Sequence, residues 1–99
     1  MTKFEVNCIK GPQGEIVVNG RYVSGTEPVY VERVVLEELD SAGNAIGSST
    51  HHVHRNIDPM PGAYMLVAPM PSGSNVKGAR ATAYYILIDK VFKSAILNL

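Results

Sequence analysis

The sequence has no tryptophan, one cysteine and no excess of either charge. Each absence removes something. Cys8 has no partner within the chain, so no internal disulfide braces the fold, which suits a reducing compartment or a domain stable enough without one. Nine Lys and Arg balance nine Asp and Glu, leaving no net field to draw the protein to a nucleic acid or an anionic membrane. No apolar run approaches the roughly 20 residues of a spanning helix. Polar residues interrupt the N-terminus from Thr2, which argues against a signal peptide. A cytoplasmic setting is the expectation if this is the whole native chain. Helical periodicity is also scarce before residue 89, which turns attention to strands.

What is present is a series of short Val-, Ile- and Tyr-rich segments separated by Gly, Pro, Asn and Asp, the pattern of an all-β sandwich in one domain of 99 residues. Phe4, Val6 and Cys8 alternate with Glu5 and Asn7, which makes Cys8 a core residue. "EIVVNGRYVS" (15–24) reads as one long strand with Gly20 at a close approach or bulge, because a hairpin at Asn19-Gly20 would leave arms too short to bury much. "PVYVERVVLEELD" (28–40) is apolar on both parities, as expected of a central strand or of one whose phase is switched by a bulge. "DSAGN" (40–44) is a turn. "AIGSSTHHVHR" (45–55), "AYMLVAPMP" (63–71) and "ARATAYYILID" (79–89) are three further strands. The tail "KVFKSAILNL" (90–99) fits both helical and strand spacing; after a turn at Asp89-Lys90, a last hairpin strand is expected. Seven antiparallel strands are the count of an immunoglobulin-like or fibronectin-like sandwich, although tryptophan and a disulfide are missing.

The stretch from residue 15 to 71 resembles the FxLYD-type domains of bacteria and archaea. Val18, Gly20 and Tyr22 stand in that family's first strand motif, with Ser24 where the family has Asn. Leu39-Asp40 with Gly43 matches the second motif. Pro61-Gly62 followed by Tyr64, Leu66 and Ala68 matches the third. The resemblance implies an immunoglobulin-like fold and no known enzymatic activity, and it brings no catalytic or binding residues with it.

Chemistry has few footholds. "STHHVHRN" (49–56) puts His51, His52 and His54 together. On a strand His52 and His54 share a face and His51 opposes them. Val53 is the apolar member and should point inward, which leaves His52 and His54 in solvent. They are the candidate metal ligands, with Asp58, Glu37, Glu38 and Asp40 as the nearest carboxylates. Zinc usually takes three or four such ligands, so two histidines alone bind weakly. No serine sits in a G-x-S-x-G setting, and adjacent Glu37 and Glu38 face opposite ways. A hydrolase with an unrecognised site is therefore the third reading, behind a small metal-binding protein.

The first reading is a non-catalytic interaction or scaffolding module without a cofactor. Its partner is another protein or a second copy of the chain, engaged through end loops or an edge strand. Pro59, Met60, Pro61, Met70 and Pro71 are the candidate contact residues. Methionine adapts to a partner, and proline keeps a loop rigid and free of stray pairing. The loops 59–62 and 69–78 are expected at one end of the sandwich, with Met65 in the core. A tyrosine of the Tyr84-Tyr85 pair is expected to bond a loop through its hydroxyl.

Overall fold

The computed structural model of the protein describes residues 2–87 and 90–99, the side chains of 90–93 excepted. Seven strands follow one another: β1 (Lys3–Lys10), β2 (Ile16–Ser24), β3 (Val29–Leu39), β4 (Ala45–Ile57), β5 (Gly62–Met70), β6 (Gly78–Ile86) and β7 (Lys90–Asn98). They form two antiparallel sheets, one ordered β1-β2-β5 and the other β4-β3-β6-β7. Two layers of alternating strands bury a common core, the arrangement of a β-sandwich. Among the described residues no helix is long and apolar enough to cross a membrane.

The core comes from the inward parity of each strand. Phe4, Val6 and Cys8 of β1 and Ile16, Val18 and Tyr22 of β2 face Val29, Val31, Val34 and Leu36 of β3 and Tyr85 of β6. Burial of the Cys8 thiol pushes its pKa up to about 11. Three inward positions of β6, Ala79, Ala81 and Ala83, are fully buried, and their small side chains let the opposite sheet close over them. The ring of Phe4 meets Tyr85 edge-on at 5.1 Å. Gly20 lies under that ring: a Cβ there would approach Phe4 Cζ to 2.4 Å. The close approach expected at Gly20 is thus a ring passing over bare backbone.

β3 is both central and irregular. Val29 and Val31 are buried, then the phase switches and Val34 and Leu36 are buried. Across this row β6 advances one residue, from Tyr84 to Tyr85, β3 two, from Arg33 to Val31, and β4 three, from His52 to Arg55. Each successive strand gains a residue, so the sheet fans outward toward β4. The row coincides with His54, which has φ +45°, the one left-handed non-glycine backbone among the described residues. The turn 40–44 closes the other end of the β3–β4 hairpin. Gly43 takes φ +84°, and Asp40 Oδ1 accepts from the amides of Ala42 and Asn44, both at 2.9 Å.

Three expectations need correction or placing. Met65 is not in the core: it is 55% exposed, whereas Met70 turns inward and packs against the core. The cause is the register of β5, which slips against β2 on either side of Val18 so that Leu66 and Val67 are both buried. Secondly, the loops 59–62 and 69–78 lie at opposite ends of the sandwich. β5 runs between them and separates them by roughly 25 Å at about 3.3 Å per residue. Thirdly, Tyr22 bonds a loop through its hydroxyl, which donates to the Glu27 carbonyl at 2.7 Å. The tail is a strand as expected, paired from Lys90 to Asn98 with Ile86 to Gly78. The turn expected at Asp89-Lys90 lies outside the described residues.

Candidate functional site

β4 is an edge strand with two different faces. Ser49, His51 and Val53 are half-buried on its inner side, and Val53 packs against the core. His52 and His54 project from the outer side into solvent, as the position of Val53 implies. Their rings stack, with centroids 5.7 Å apart and planes within 4° of parallel. The lone pairs of two stacked imidazoles lie in parallel planes and do not meet at a single ion, so shared coordination requires one ring to turn. His54 Nδ1 is hydrogen-bonded to the Tyr30 hydroxyl at 2.8 Å, while His51 Nε2 bonds Ser49 Oγ at 2.8 Å on the opposite face. Sequence reasoning missed Tyr30, because its contact depends on the β3–β4 register at the fanned row.

Two of the carboxylates proposed as further ligands, Glu37 and Asp40, are committed elsewhere. Glu37 accepts from Arg80 Nε at 2.8 Å and from Nη2 at 3.0 Å, and these hydrogen bonds hold its pKa below the usual carboxylate value. Asp40 caps its own turn. Glu32 pairs with Arg33 at 2.8 Å, and the Arg33 guanidinium lies 3.9 Å over the Tyr84 ring. Among the described residues no three His, Cys, Asp or Glu side chains converge on a common point. Ser49 and His51 form a hydrogen-bonded pair, and among the described residues no carboxylate is bonded to the imidazole.

The other sheet carries a different surface. An open cleft of about 590 Å³ lies between the β1–β2 turn and the exit of β5, lined by Pro12, Gln13, Gly14, Glu15, Pro69, Pro71 and Ser72. Ser72 Oγ donates to the Gly14 carbonyl at 3.1 Å and fixes the two walls together. Beside it, on the outer face of the same sheet, Ile9 pairs with Val17 and both Ile9 and Met65 are exposed. Pro71 is therefore at a surface site, whereas Met70 is not. Sequence reasoning missed Pro12, which is remote in sequence and reaches the cleft through the β1–β2 hairpin.

At the opposite end Pro59, Met60 and Pro61 form an exposed turn, with Met60 64% accessible. The Met60 amide donates to the Asp58 carbonyl at 2.7 Å, and the Tyr64 hydroxyl donates to the Met60 carbonyl at 3.1 Å. Nearby, Arg55 reaches from β4 across the open flank of the sandwich. Its Nη1 donates to the Met65 carbonyl at 3.4 Å, and its guanidinium stands 5.4 Å from the Tyr64 ring. That contact, with Pro69 and the two slips in register, leaves β5 a poor template for an added strand. No protein-family model matches the chain, and a search of curated proteins finds no match.

Proposed function

We propose that the protein is a non-catalytic interaction module that holds a protein partner in the proline-lined cleft and on the neighbouring apolar face of β1-β2-β5. The observation that carries this reading is the cleft itself. Three of its lining residues are prolines, on the β1–β2 turn and at the end of β5, and Ser72 ties the two walls, so little conformational freedom is lost when a partner seats there. Ile9, Val17 and Met65 extend the contact with apolar surface of the kind that marks interfaces. We further infer an immunoglobulin-like, fibronectin-like sandwich. The division into three and four strands, the crossing of β2 to β3 and of β4 to β5 between sheets, and the Tyr22 hydroxyl on a loop carbonyl all support it, as does the resemblance to FxLYD-type domains. The rigid turn at Met60 is the competing contact.

Site-specific photocrosslinking separates the two ends. A crosslinker in place of Pro71 should trap a discrete protein adduct in cells expressing the chain, and one in place of Lys3 should not. Adducts from position 60 with none from positions 12 or 71 would move the interface to the other end and overturn the cleft.

A further inference from the structure

We propose that His52 and His54 are half of a zinc site that a second copy of this chain completes. Three observations meet at this pair. The fanned row of the sheet brings two histidines side by side on the exposed face of β4, their rings 5.7 Å apart. His54 holds φ +45° at the bulge where β4 runs a residue longer than β3, and this sets its ring beside that of His52. The Tyr30 hydroxyl sits 2.8 Å from His54 Nδ1. When Nδ1 carries the proton and donates to the phenol oxygen, Nε2 keeps its lone pair and faces outward. That is the arrangement in which an outer hydrogen bond fixes the tautomer of a metal-ligating histidine. Tyr30 is a positioning residue in this scheme.

The partner follows from counting donors. Zinc bound by imidazole closes its coordination at four ligands. The chain offers two, and among the described residues no third His, Cys, Asp or Glu converges on them. A two-fold copy of the same pair supplies the other two, as the self-complementary contact of a symmetric dimer requires. β4 is an outer strand with its far edge unpaired, so two such edges can approach. The chain has no net charge to oppose them. The His52 imidazole makes no hydrogen bond among the described residues, and it can leave the stack and turn its lone pair toward the ion that His54 holds. The site is independent of the proline-lined cleft, which belongs to the other sheet.

Sedimentation and calorimetric titration of the intact chain with zinc chloride, against the same chain in EDTA, test the proposal. Zinc should convert monomer to dimer with one ion bound per two chains, and EDTA should reverse it. His52→Ala and His54→Ala should each abolish the conversion. His51→Ala, whose imidazole faces the other way, should keep it. Tyr30→Phe should weaken zinc binding by about tenfold without moving the melting temperature in EDTA. One zinc per chain without a dimer, an assembly state indifferent to zinc, or a zinc dimer that survives both histidine variants would each overturn it.

Discussion

Gly20 shows how much one missing methyl can matter. With Phe4 Cζ at 2.4 Å and Leu66 Cδ1 at 3.2 Å from the position of a Cβ, alanine forces two core side chains aside. Phe4 is only 4% exposed and has no room to yield. Gly20→Ala should therefore lower stability by about 1–3 kcal/mol, the usual cost of overpacking, read by chemical denaturation. Cys8 gives a second prediction at this scale. Its thiol is held at about 11 in the folded protein against 9.0 when free. Between those values the unfolded chain gives up a proton that the folded chain keeps. The stabilisation is thus full below pH 9 and is lost as pH rises toward 11, by roughly 2–3 kcal/mol. Replacing Cys8 with Ala should flatten that part of the stability curve relative to the native chain. An unchanged alkaline slope would show that other groups control it.

At the scale of the element, β7 illustrates a sequence that permits two structures. Val91, Ala95 and Leu99 suit a helix, yet Ala95, Leu97 and Leu99 also alternate, and only β6 decides between them. On the strand, Leu97 packs against the core while Ile96 stays 64% exposed. Leu97→Ala should then cost about 1–3 kcal/mol, and Ile96→Ala less than about 0.5 kcal/mol; equal losses in thermal melts would contradict the alternation. Most strands were legible in the sequence because local composition and alternation carry that information. Val53 revealed which way β4 faces, and Cys8 shared its parity with Phe4 and Val6. What stayed hidden depends on two strands at once. Met65 and Met70 exchanged roles because β5 slips against β2, and Tyr30 met His54 because β3 and β4 differ in length across one row. The cleft was hidden for the same reason, since Pro12 and Pro71 lie on loops that only the fold brings together. Neither slip leaves a mark on one segment read alone.

For the whole molecule the strand order is the governing fact. Each sheet is assembled from strands far apart in the chain: β2 must find β5, and β3 must find β6. Pairing across such separations closes long loops before it gains contacts, so folding should take milliseconds to seconds, measurable by stopped-flow dilution from denaturant. Microsecond folding would be at odds with this topology. During synthesis the same order imposes a wait. β3 is complete at Leu39 and can pair with β4 once that strand is made to Ile57, but its other neighbour ends only at Ile86. At about 5–20 residues per second, that gap lasts roughly 2–10 seconds. Through it the Val-rich edge of β3 stands unpaired in a half-built chain. The nascent protein is therefore most exposed to misassembly and to chaperones while its central β3 has one side open.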